Sequence, residues 1–180
     1  VMLLYNLVLY FIVRDTSYIY YVLYILFVGL TQASLFGYTD RFVFLEWTWL
    51  NNNMTFFTGS LVGVFSLIFI QEFLHLKAKV PIIHKLITVF IFVELVALII
   101  SILGFRILAY NLINSVAGLG SITSIAVSIR LMIKGYKPAK FFLIAWSIFL
   151  ASVMVFVLKD YNMIPFNGFT RRSILIGSVV

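Results

Sequence analysis

One acidic residue in this chain stands far from any loop. Glu94 lies roughly 13 Å along a helix from Lys85, within the apolar run Leu86–Phe105. An ionised carboxylate at that depth is costly unless it is paired or neutralised, so it must face other helices rather than lipid. Two roles fit such a group. It is a proton- or ligand-sensitive switch, or it is a hydrogen-bonded carboxyl that holds helices together, with Asn114, Ser115 or Ser121 as expected partners. Those partners belong to a stripe in which Asn111, Asn114, Gly118, Ser121 and Ser128 recur at helical spacing on one face. Small and polar residues of this kind let membrane helices approach closely and bond across the contact. Gly59-x-x-x-Gly63 offers the same opportunity on an earlier helix. Glu94, Asn111, Asn114 and Ser121 are therefore the candidate intramembrane polar site. It reads as a switch or as a packing seam, and a ligand cleft or dimer interface is the rarer use of such a stripe.

Other constellations carry less chemistry. Glu72, His75 and His84 flank one helix boundary, and a Glu-x-x-His step places two metal-ligand types on one helical face. Polar residues also belong at a headgroup interface, and the segment between the histidines constrains nothing, so no metal ligand is assigned. There is no Cys, which excludes disulfides, thiol nucleophiles and Cys-based zinc sites. A retinal Schiff base needs a lysine deep in a helix, and every lysine here lies in a loop or at a span end. With two His and six acidic residues, mostly in separate loops, no catalytic site and no cofactor is expected.

The elements that must position these residues are membrane helices. Of 180 residues, 63% are apolar and 11% are charged, far below the roughly 25% charged content that wets a soluble domain. Mean hydropathy is +1.13. The net charge of +7 is then read as topology signal and lipid-headgroup contact, and no basic run is dense enough for nucleic acid. Five segments have the length of about 20 residues that crosses the hydrocarbon layer: Tyr18–Phe36, Met54–Phe73, Leu86–Phe105, Ile107–Ile129 and Phe141–Leu158. Val1–Val13 and Ser173–Val180 are shorter apolar runs next to Arg14 and Arg172, and both read as helices cut short. The fold class is thus an all-α integral membrane protein, a seven-helix bundle with its first and last helices truncated. Loops are expected at Asn51-Asn52-Asn53, Lys77–Lys79, Gly135–Lys140 and Asn162–Gly168, with Pro81, Pro138 and Pro165 outside the spans. The tight Gly104-Phe105-Arg106 turn makes its two flanking helices antiparallel neighbours. Trp47, Trp49, Tyr18, Tyr20, Tyr21 and Tyr136 read as interfacial belt residues, whereas Trp146 sits deeper and reads as core.

Counting Lys and Arg in alternate loops sets an orientation. Eight fall on one side, Arg14, Lys77, Lys79, Lys85, Arg130, Lys134, Lys137 and Lys140; five, Arg41, Arg106, Lys159, Arg171 and Arg172, fall on the other. The positive-inside rule places the first set in the cytoplasm, with the N-terminus outside and the C-terminus inside.

Three stretches then resemble one bacterial family. Tyr5-Asn6-Leu7-Val8-Leu9-Tyr10, with Arg14-Asp15 and the Tyr-rich run Tyr18–Tyr24, is similar to that family's opening. Gly135-Tyr136-Lys137-Pro138-Ala139-Lys140, leading into Phe141–Trp146, is similar to its short loop before the sixth helix. Ile176-Gly177-Ser178 is similar to the start of its seventh. The chain as a whole resembles the seven-transmembrane receptors with diverse intracellular signalling modules. The resemblance implies that residues 1–180 form one transmembrane sensor domain in the bacterial inner membrane. An extracellular ligand-binding domain is expected ahead of it, and a histidine kinase, diguanylate cyclase or other output module after it. It implies the lipid bilayer as partner and a homodimer of the full-length protein, and it transfers no ligand-contact positions. A transporter or channel subunit is the alternative, weakened by the lack of any mid-span proline.

Overall fold

The computed structural model describes residues 2–38, 48–165 and 167–168. Among them there are helices and turns and no strand. The helices are α1 (Met2–Val13), α2 (Thr16–Leu35), α3 (Thr48–Phe73), the short α4 (Leu76–Lys79), α5 (Pro81–Ile102), α6 (Arg106–Ile133) and α7 (Lys137–Asp160). Five of these, α2, α3, α5, α6 and α7, are long and apolar enough to cross a membrane, and Leu3–Val13 is a shorter apolar helix. The run Ser173–Val180, the pair Arg171-Arg172, Arg41 and Trp47 lie outside the described residues, as does the side chain of Trp49.

Local chemistry explains where each helix starts and stops. Arg14 adopts a left-handed conformation (φ 57°) that ends α1, and the Asp15 side chain caps α2 by accepting a 2.8 Å bond from the Ser17 amide. Pro81 and Pro138 stand in the first turns of α5 and α7, where a missing amide hydrogen costs nothing. Gly104 (φ 94°) makes the three-residue reversal between α5 and α6, a conformation that L-residues other than glycine resist. Two expectations need correction. Lys77–Lys79, expected as a loop, falls in the short α4, whose last turn favours lysine. Asn51-Asn52-Asn53 is not a loop but part of α3, which begins at Thr48. Asparagine is only mildly unfavourable in a helix, and tertiary contacts override so weak a preference: Asn53 is buried.

Each long helix packs against the next in sequence, and α3 also packs on α6. Hence α3 and α6 form the centre of the bundle. The outward faces are left to lipid: Ile107 is 81% exposed and Phe92 66% exposed. At 28 residues, α6 is about 42 Å long, so its ends project beyond a hydrocarbon core of about 30 Å.

A layer of aromatic rings surrounds Trp146 on α7. Its indole stacks on Phe69 of α3 at 5.0 Å and on Phe142 at 5.3 Å, and it meets Tyr24 of α2 at 5.1 Å. Tyr21 and Phe149 complete the cluster. Trp146 is therefore core, and Tyr21, expected at the interface, turns inward to join it. The connections near Tyr136 are also tied together. The Tyr136 hydroxyl lies 3.2 Å from His75 Nδ1, and the Lys79 ammonium sits 5.0 Å over the Tyr136 ring. Burial pushes the Tyr136 phenol above its ordinary value, so it stays neutral at physiological pH.

Candidate functional site: a buried carboxyl beside an intrabundle cavity

α5 places Glu94 thirteen residues beyond its first proline, about 20 Å along the axis and deep in the span. The side chain is 1% exposed. Its partner lies on α3, not on the stripe of α6. Ser60 Oγ lies 2.8 Å from the Glu94 main-chain oxygen and 3.3 Å from Oε2, and it donates across the helix pair. Asn114, Ser115 and Ser121, the expected partners, make no hydrogen bond to the carboxyl. Three residues along α3, Gly63 gives the carboxyl its room. A Cβ there would stand 2.7 Å from Oε1 and 2.8 Å from Cδ, so any side chain at this position displaces the acid. Oε1 itself has no hydrogen-bond partner.

The carboxyl borders a cavity of about 260 Å³ walled by α2, α3, α5, α6 and α7. Asn114 and Ser121 line it as well, so three of the four sequence candidates come together there. Asn111 does not: its side chain is exposed, and its main-chain oxygen accepts from Ser115 at 2.7 Å. The remaining wall is largely apolar, with Val28, Val62, Leu67, Ile113 and Val153 prominent. Its hydroxyls are already used. Ser121 donates to Ala117 O at 2.7 Å, Ser124 to Gly120 O at 2.6 Å and Thr31 to Phe27 O at 2.8 Å. The small residues of α6 set the helix spacing. A methyl added at Gly118 would press on Val157, and one at Gly120 on Leu67, each at 3.3 Å.

At one end of the cavity, where Tyr110 and Asn114 line it, lie polar contacts that composition and spacing did not point to. Tyr110 donates to Asp160 Oδ2, and Asn114 Nδ2 donates to the same oxygen at 3.1 Å. Asp160 also pairs with Lys159 at 2.7 Å, and Ser115 shares a 2.7 Å hydrogen bond with Tyr161. These bonds join the start of α6 to the end of α7. The readable signal was antiparallel geometry: polar residues at opposite ends of two neighbouring spans meet at the same depth. At its other end the cavity meets the Trp146 ring layer, and beyond that layer a second hollow opens between α1, α2, α3 and α7.

Glu72, His75 and His84 do not form a shared site. His75 is engaged by Tyr136, and the His84 main-chain oxygen accepts from Gln71 at 2.9 Å. Among the described residues no three His, Cys, Asp or Glu side chains converge as a metal site would require. The Glu94 carboxyl keeps one buried oxygen without a hydrogen-bond partner, and the hydroxyl beside it, Ser60, is itself buried and donates to it and to the Glu94 main chain.

Apolar spans of this length in an all-helical bundle define a multi-pass membrane protein. The family described as 7TM diverse intracellular signalling matches the chain over residues 1–180, and the chain belongs to that family. Domains of this family are transmembrane sensory parts of signalling receptors. No curated protein and no solved structure matches the chain.

Proposed function

We propose that this chain is the membrane-spanning part of a bacterial inner-membrane receptor that passes an extracellular stimulus to a cytoplasmic output module, such as a histidine kinase or a diguanylate cyclase. The observation that carries this reading is the family match along the whole chain. The distribution of charge supports the orientation. The turn at Arg14, the connection bearing Lys77 and Lys79 and the connection bearing Lys134 and Lys137 alternate with the others along the chain, which gives them one side of the membrane. That basic side is cytoplasmic in this reading, so the Asp160 end of the cavity faces outward. A signal then travels along packed helices toward the Tyr136 end, where His75, Lys79 and Tyr136 tie two connections together. The receptor works as a homodimer.

The test is made in whole cells and in the full-length receptor. Cysteine at Lys137 is expected to react with a membrane-impermeant reagent only after the cells are opened, and cysteine at Thr48 in intact cells. Reversed accessibility overturns the orientation. Output that is indifferent to a disulfide locking the start of α6 to the end of α7 overturns the relay.

A further inference from the structure

We propose that the cavity beside Glu94 binds a small lipophilic molecule bearing one hydrogen-bond-donating head, an amine or an alcohol on a hydrocarbon body. The proposal deepens the sensory reading and rests on it for its biological meaning, while the binding itself stands on geometry. A dry engineered cavity of about 150 Å³ accepts benzene, so about 260 Å³ accepts a larger hydrocarbon body; it lies just below the usual range for ligand pockets, about 300–1,000 Å³. The apolar wall suits that body. The head is specified by what the wall leaves unsatisfied. Ser121, Ser124 and Thr31 spend their hydroxyl hydrogens on their own helices, and Asn114 donates to Asp160. Two acceptors remain: Glu94 Oε1, buried beside Gly63 and without a partner, and the carbonyl oxygen of Gln32, whose half-buried amide lines the same cavity. A buried acceptor in an apolar chamber is satisfied by a ligand that donates to it. Ser60 and Gly63 hold the carboxyl in place: one bonds it, and the other leaves the room it occupies.

Gly59 supplies a clean way to close the site. It lines the same cavity, and a Cβ built on it meets nothing within 4 Å, so a larger side chain there grows into the empty space. The experiment uses the full-length protein in phosphatidylethanolamine and phosphatidylglycerol nanodiscs, with photoreactive diazirine derivatives of octylamine, octanol and octane as probes. Labelled residues are mapped by mass spectrometry. Saturable labelling of cavity residues such as Val62 and Ala117 is expected with at least one of the two head-bearing probes, competed by the matching unlabelled compound. If both label, the shared donor is recognised; if one labels, it identifies the head. Gly59→Leu is expected to abolish the saturable label. Glu94→Leu is expected to weaken it by about tenfold or more, the effect of losing one hydrogen bond to a carboxyl, while octane labelling stays unchanged. If Glu94→Leu does not fold, Gly59→Leu still decides the matter. The proposal is overturned by labelling that does not saturate, that falls on lipid-facing Phe92 or Ile129, that persists in Gly59→Leu, or that is as strong with octane as with both head-bearing probes. Because labelling does not read the output, saturable binding with failed topology or relay tests would keep the site and remove only the receptor role.

Discussion

The ring layer around Trp146 and the cavity beside Glu94 adjoin one another in the same helices, yet they are built on opposite principles. Around Trp146, five aromatic partners from three helices fill the space, and the indole is 7% exposed. Beside Glu94, α3 and α5 touch at Ser60 and Gly63, and a gap opens among α2, α3, α5, α6 and α7. Aliphatic side chains line most of the gap, with glycines and serines among them, and a few hydrogen bonds cross between its helices. Lipid supplies no hydrophobic drive between membrane helices, so close packing does the work that burial does in water. A membrane domain that must both persist and change therefore needs a dense region to define the bundle. It also needs a loosely filled one, where a modest change in contacts alters helix spacing. The ring layer joins α2, α3 and α7, and the cavity adds α5 and α6, so the two regions share three helices.

This contrast is sharpest in truncations. Trp146→Ala is expected to cost about 3–5 kcal/mol, because the cluster loses its centre and the two hollows it separates are joined. Val153→Ala, on the cavity wall, is expected to cost less than about 1.5 kcal/mol, since little packing is removed where space already exists. Reversible unfolding in mixed micelles compares the pair, and similar losses would erase the distinction between the two regions.

The next effect separates two glycines on one helix. Gly63→Ala drives a methyl into the Glu94 carboxyl and is expected to destabilise by about 1–3 kcal/mol. Gly59→Ala meets open space and is expected to stabilise slightly, by up to about 1 kcal/mol, through helix propensity alone. Thermal unfolding of both variants in nanodiscs is the measurement. Equal behaviour would mean that the carboxyl does not rest on Gly63.

Asp160→Ala removes the shared acceptor of Tyr110 and Asn114, and a loss of about 1–2 kcal/mol is expected. Hydrogen exchange is expected to rise in the first turns of α6 and the last turn of α7, while amides next to Trp146 keep their protection. Protection lost evenly across both regions would show that they unfold as a single unit.

The smallest expected effect is that of Glu94→Gln on stability. Glutamine retains an acceptor for Ser60 and fits beside Gly63, so the change is expected to stay within about 1 kcal/mol. A melting temperature well below the parent protein's would show that the acid itself, rather than its shape, holds α3 to α5.

Sequence alone determined the class of the molecule and much of its layout. Hydropathy and length located all five membrane helices, although α3 and α5 begin earlier, at Thr48 and Pro81, than the expected Met54 and Leu86. The thickness of the hydrocarbon layer fixes the apolar part of a span and not the polar turns that extend it. The turn at Gly104 and the capped reversal at Arg14-Asp15 were legible because their backbone chemistry is local. The burial of Glu94 followed from the cost of leaving an acid in lipid. Its partner did not. Ser60 and Gly63 are 34 and 31 positions away in the chain. Only the rotation of α3 about its own axis decides that they, rather than the polar stripe of α6, meet the carboxyl. In the same way, the rotation of α6 decides that Asn114 and Ser121 line the cavity while Asn111 points out of it. Periodicity in one helix gives that helix a face; which neighbour receives the face is set by how all the helices pack at once.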